Sequence, residues 1–300
     1  MAQLEIRQHA APKVIGKPVE VSDGIFVIPD RRVPLVPNIG IVVGDDAALV
    51  IDTGVGPRNG RYVLDQAKRL AGNRTLYLAV TQTDPGHGFG SQAFKGTAAI
   101  VSSAAQQDRL EHHAPAYAEA FRKLGLGEAV EREFEGLELV SPDIVHDGHF
   151  TLDLGGIDAV LENWGPAHTT DDQTVLVGGR VLFGGDLFET RMFPILPYVP
   201  PFDVGFDGDR WLNALDDLSA REPKVVVPGH GEVADVGLIH EVRTYLAFVR
   251  HESEQLKAEG VPLDEAAAII EKQSTRRWNG WDGPQMVRLL TKAFYVHRGN

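Results

Sequence analysis

The strongest constraint on this chain's fold is one order of elements, run through twice. Residues 24–29, 39–43 and 47–52 are apolar, β-rich runs, and Gly44-Asp45-Asp46 between the last two is a hairpin signal. Asp52-Thr53-Gly54 ends the third run. Residues 58–71 then place Val63, Leu64, Ala67, Leu70 and Ala71 at helical spacing. Strands are predicted over 76–81 and 97–102, and a helix over 103–124. The second half repeats the order, with strands at 143–146, 149–153, 157–163, 174–178 and 181–184, a helix at 208–219 and a strand at 224–227. Helices at 235–259, 263–273 and 284–296 close the chain. Half-apolar strands and helices must each bury a face, and two sheets packed together with helices outside satisfy both: an α/β sandwich.

Composition narrows the chemistry. The 300 residues include 11 His and no Cys, so disulfides, thiolate metal sites and thiol nucleophiles are excluded, and His becomes the soft ligand on offer. Lys and Arg number 29 against 42 Asp and Glu, a net charge of −13, which argues against nucleic acid as a partner because phosphate must be neutralised by basic side chains. No apolar run approaches the ~20 residues needed to span a bilayer. The first ten residues lack a basic-then-apolar leader pattern. The expectation is a cytoplasmic protein with neither membrane nor nucleic-acid partners.

Polar residues recur in the loops just after strands: Gln82, Asp84 and His87 after 76–81, His168 after 157–163, Asp186 after 181–184, and His230 after 224–227. Strand-end loops are where a rigid sheet presents functional groups. Gly86, Gly88, Gly185, Gly229 and Gly231 flank them and allow close backbone approach.

With these residues in view, the chain resembles the metallo-β-lactamase superfamily. The segment Asn38 to Gly54 ending in IDTG, TQTDPGHGFG at 81–90, GPAHTTDD at 165–172, FGGDLF at 183–188 and VPGHG at 227–231 stand in that family's order. The resemblance implies a four-layer αβ/βα sandwich with a metal site between the sheets. It also implies a metallo-β-lactamase-like domain over 1–250, with a C-terminal helical extension over 251–300 packed on that domain or on a partner subunit. Family members are mostly hydrolases of lactams, lactones, thioesters and phosphoesters.

The match departs from the family at its centre. Where the family carries His-x-His-x-Asp-His, this chain reads Gln82-Thr83-Asp84-Pro85-Gly86-His87. The resemblance makes His87, Asp186 and His230 the ligands of one ion. Two imidazoles, a carboxylate and an open position suit zinc, with iron or manganese as alternatives. His168 and Asp84, with Gln82 as a weak amide donor, would hold a second ion weakly or not at all. If free of metal, Asp84 and His168 are candidate acid–base groups. The expected activity is hydrolysis of a small ester, lactone, lactam or thioester at this modified site. The alternatives are a lyase, isomerase or redox reaction on the same scaffold, or a binding protein with a degenerate site. Residues 193–202 interleave prolines with Phe193, Leu196, Tyr198 and Phe202, a candidate pocket wall that would suit a substrate with an apolar part. A homo-oligomer is an open possibility. The resemblance implies that Asp52 supports the metal loop; Asp171 and Asp172 read as turn formers, and His146 and His149 as surface residues.

Overall fold

The computed structural model describes residues 11–123, 127–196 and 205–296. In its first half, β1 (Val19–Ser22), β2 (Ile25–Ile28), β3 (Ile39–Val43), β4 (Ala47–Ile51), β5 (Thr75–Ala79), β6 (Ala98–Ser103) and β7 (Ile144–His146) form a sheet in sequence order. Pairing is antiparallel from β1 to β4 and parallel from β4 to β7. The second sheet orders β12 (Val225–Val227), β11 (Val181–Phe183), β10 (Gln173–Val177), β9 (Asp158–Asn163) and β8 (His149–Asp153), and β12 is parallel to β11.

Side-chain parity shows how the layers stack. Every residue of β4 is buried; Ala47, Leu49 and Ile51 belong to one apolar cluster, while Ala48 and Val50 belong to another. Successive strand residues face opposite sides, so β4 is covered on both faces. In β11, Val181 and Phe183 join the same cluster as Leu49, and Leu182 joins a third. The shared cluster therefore fills the space between the sheets. On the outer face of the first sheet lies α1 (Gly56–Ala71), whose Val63, Leu64, Ala67 and Ala71 pack with Ile41, Val50 and Leu78. Over the second sheet lie α6 (Gly208–Ala220), α7 (Gly237–Ala258), α8 (Leu263–Arg277) and α9 (Met286–Val296), with Trp211, Leu246, Ile270 and Leu290 in the cluster of Leu182 and Val226. The result is the expected four-layer αβ/βα sandwich.

Three local departures have physical reasons. The helix read over 103–124 is broken into α3 (Ala104–His112) and α4 (Ala114–Arg122), with α2 (Pro85–Gly88) ahead of them and α5 (Glu128–Glu131) after. Pro115 lies in the first turn of α4, where its missing N–H costs nothing, and it cannot continue α3. β1 escaped the sequence reading because a four-residue, half-exposed edge strand has little apolar signal. The 250/251 boundary falls inside α7, and the residues beyond it share the core of the second sheet. There Trp278 and Trp281 sit 5.1 and 5.6 Å from Tyr245, ring to ring. No described helix is long and apolar enough to cross a membrane.

Trp211 anchors the helical layer: it is fully buried, and its indole N–H donates to the Leu187 carbonyl at 2.9 Å. Trp211→Ala should cost about 3–5 kcal/mol, combining lost burial, a cavity and an orphaned carbonyl. Urea unfolding of variant and parent measures this; a loss below about 1 kcal/mol would contradict the assignment.

Candidate metal centre

Three strand ends converge to build the site. The loop after β5 leads into α2, which carries His87; the turn after β11 carries Asp186; the loop after β12 carries His230. The last two are zipped together, since Gly229 N–H donates to Gly185 O at 2.7 Å and Gly184 N–H to Val227 O at 3.1 Å. Asn38 fixes the His230 loop from the other sheet, donating its side-chain N–H groups to Pro228 O at 3.0 Å and Gly231 O at 2.8 Å. Asp30 accepts the Gly231 N–H at 2.9 Å.

His87, Asp186 and His230 are all buried, and one ligand atom of each lies within 4.8 Å of the others. Asp186 Oδ2 is 3.2 Å from His87 Nε2, and Asp186 Oδ1 is 3.6 Å from His230 Nε2. The two rings meet edge to face, centroids 5.9 Å apart. Asp52 sets the orientation of His87. It accepts the Thr81 N–H and hydroxyl at 2.7 and 2.9 Å, and lies 2.9 Å from His87 Nδ1. With Nδ1–H donated to Asp52, Nε2 is left facing the triad. Asp52 adopts φ 69°, a left-handed conformation that only tight local support sustains. Exchanging its charge for an amide, Asp52→Asn, should weaken metal affinity about 10–100-fold while leaving the three ligands in place. A chelator-competition titration reads this, and unchanged affinity would remove Asp52 from the site.

Charge is balanced within the triad. Burial opposes ionisation of Asp186, but His87 and His230 outweigh it and hold the carboxyl well below its usual range. Burial likewise opposes a charge on His87, yet Asp186 and Asp52 raise it well above a free imidazole. His230 is lowered, by burial first and by the neighbouring His87.

The fit to an ion rests on atoms that lack partners. Asp186 Oδ1 and Gln82 Oε1 are buried without a hydrogen bond, although such groups are costly to leave unsatisfied. A cation beside two imidazoles would satisfy the carboxylate, and this donor set suits a divalent ion.

The sequence matches the model of the metallo-beta-lactamase superfamily over residues 32–230. The chain belongs to this superfamily. Solved structures agree in fold. A stereoselective inverting sec-alkylsulfatase, Pisa1, from Pseudomonas sp. superposes with a TM-score of 0.70 at 15% identity, over 94% of this chain and 50% of that one. This chain thus spans about half the sulfatase's length. A metallo-beta-lactamase from Pontibacter korlensis gives a TM-score of 0.57 at 20% identity, covering 77% of this chain and 98% of its own. The DIM-1 metallo-beta-lactamase gives 0.58 at 18% identity, over 77% of this chain and 96% of that one.

Within this superfamily fold the remaining candidates separate. Gln82 does reach the triad, but it presents its amide N–H, 2.7 Å from Asp186 Oδ2. Asp84 stands apart from the ligand group: its Oδ1 accepts from Arg109 at 2.5 Å, an ion pair that takes up the carboxylate. A Cβ on Gly86 would lie 3.0 Å from the Leu35 carbonyl, a crowded place for a carboxylate. His168 is buried outside the triad's ligand group, though close enough for Asp186 to act on its charge. Its Nε2–H donates to Ile195 O at 2.5 Å, its Nδ1 is 3.5 Å from Asp172 Oδ1, and its ring abuts Trp211. Phe193 is a core residue, not a pocket wall: it packs 5.4 Å from both Tyr245 and Trp281, ring to ring. Leu196 is also buried, while Tyr198 and Phe202 lie outside the described residues. His146 is buried against Gln173, 2.8 Å away, and not on the surface.

Several supports were silent in the sequence. Asp171 is fully buried and accepts from Thr83 N–H, Thr83 hydroxyl and Arg109. Glu189 is fully buried, and burial with Asp186 nearby pushes its carboxyl well above the usual range.

His168 has a pH signature. Burial alone would lower it, but Asp172 beside it, then Asp186 and the Ile195 carbonyl, raise the imidazole from 6.5 to about 9. A folded value above the unfolded one gives stability that is complete below about pH 6.5 and is lost as pH rises to about 9, on the order of 3 kcal/mol. In ion-free protein, the stability difference between parent and His168→Gln should shrink by that amount from pH 6 to 9.5, measured by urea unfolding. A pH-independent difference would refute the assignment.

Proposed function

We propose that the protein is a hydrolase of a small ester, lactone, lactam or thioester that works with one divalent ion, zinc, held by His87, Asp186 and His230. The observation that carries this reading is the buried triad with Asp186 Oδ1 left unpartnered. When bound, such an ion supplies Lewis acidity, polarising a carbonyl and lowering the pKa of water towards about 7.

The chain's own residues supply the rest. Asp52 and Thr81 fix the His87 ring so that Nε2 faces inward. The Gln82 N–H holds Asp186 Oδ2, which keeps the carboxylate from rotating and leaves Oδ1 towards His230. His168 keeps its proton through neutral pH and adds a fixed positive charge near Asp186. Burial of the triad excludes bulk water and strengthens each of these interactions. The proposed substrate is a small molecule, and the proposed setting is the cytoplasm. An alkyl sulfate is a second proposed substrate, because the sulfatase superposes on 94% of the chain.

The test combines elemental analysis of protein purified without chelator with a panel of chromogenic esters, lactones, lactams, thioesters and an alkyl sulfate. One zinc per chain and hydrolysis abolished by chelation are expected. A metal-free chain, or hydrolysis untouched by chelation, would overturn the reading.

A further inference from the structure

A second charged centre lies beside the triad. Arg109, one turn before the end of α3, is buried, with 5% of its side chain exposed. Its Nη2 donates to Asp84 Oδ1 at 2.5 Å, its Nη1 donates to Asp171 Oδ1 at 2.7 Å, and its guanidinium carbon lies 5.6 Å from the centre of the Tyr117 ring. Asp84 immediately precedes α2 with its His87, and Asp171 belongs to the loop of His168. Thr83 N–H and hydroxyl bind the second oxygen of Asp171 at 2.9 and 2.7 Å, and the Thr169 hydroxyl reaches the first at 3.1 Å. One cation thus joins the two loops that carry His87 and His168.

Two buried carboxylates in one place demand a positive charge, because an uncompensated buried anion is strongly disfavoured. Either a divalent ion or a basic side chain can meet the demand. Here a guanidinium does, and its planar fork spans the two carboxylates where an ammonium would act as a point charge. With Asp84 Oδ1 and both oxygens of Asp171 already engaged, a second ion would find few free oxygens.

We propose that Arg109 limits this site to a single divalent ion: its guanidinium, clamped between Asp84 and Asp171, supplies the charge a second ion would bring. It acts as a positioning residue, holding the His87 and His168 loops together without touching substrate. The proposal rests on the reading of His87, Asp186 and His230 as the ion site.

Native mass spectrometry in excess zinc tests it. The parent should carry one zinc per chain and Arg109→Lys one, because a cation remains. Arg109→Met should gain a second, as Asp84 and Asp171 become available. Where Arg109→Met is unfolded at one equivalent of zinc, millimolar zinc should restore its folded circular dichroism by replacing the lost charge. A folded Arg109→Met that still holds one zinc overturns the proposal, as does failure of excess zinc to refold it. Two ions in the parent overturn this proposal and the count of one ion but leave the ion at His87, Asp186 and His230 standing, whereas no ion in the parent overturns the function above and this proposal together.

Discussion

Asp186→Ala is expected to yield a chain that keeps its secondary structure and loses its ion. The carboxylate is the only anion of the triad, and it faces both imidazoles, at 3.2 Å from His87 and 3.6 Å from His230. Two imidazoles alone leave a divalent ion short of both a ligand and a counter-charge. Metal content should fall to background, and hydrolysis should fall by roughly a thousandfold or more, since the Lewis acidity at stake is worth several kcal/mol and each 1.4 kcal/mol is tenfold in rate. Elemental analysis, circular dichroism and steady-state kinetics on one preparation measure the three quantities. A variant that retains stoichiometric zinc and parental activity would remove Asp186 from the centre.

Gly229→Ala should damage the same centre through one methyl group. A Cβ built at Gly229 would stand 1.9 Å from Asp186 Oδ1 and 2.8 Å from the carbonyl carbon of Gly185. The backbone cannot retreat easily, because Gly229 N–H is bonded to Gly185 O and Gly229 O accepts from Asn38 N–H, both at 2.7 Å. The carboxylate must turn away or the zipped loops must part. Metal affinity should drop about a hundredfold, the upper end of what disturbed supporting contacts produce, and stability by about 1–3 kcal/mol, as overpacking does. Chelator competition and urea unfolding report the two effects. Parental affinity in this variant would show that the loops separate without cost.

The sequence made the sandwich legible because parity and turn chemistry are local. The residues of β4 alternate between two cores, and the Gly44-Asp45-Asp46 turn sits where β3 meets β4. The polar strand-end loops were legible as a group, but it was the family resemblance that singled out His87, Asp186 and His230 among them, and the sheets bring those three ends together. What local pattern could not carry was partnership across long separations. Arg109 reads as one more solvated helix residue, yet its carboxylates are 25 and 62 positions away. Asp171 has the composition of a turn former, and nothing in turn propensity foretells a buried guanidinium. Asp84 therefore looked free to bind an ion. Phe193 looked like pocket lining because its proline-rich neighbours suggest a surface loop, but two distant aromatic rings, Tyr245 and Trp281, draw it into the core.

The triad draws its members from both halves of the molecule. His87 hangs from the first sheet, while Asp186 and His230 hang from the second. An ion seated among them would be one more cross-link between two layers already joined by an apolar core and by the hydrogen bonds of Asn38, Asp30 and Asp171. Its free concentration then sets how firmly the halves are latched: at a hundred times the dissociation constant, binding adds about 2.7 kcal/mol to the folded state. A cell's metal supply would thus regulate the lifetime of the fold as well as the chemistry at its seam.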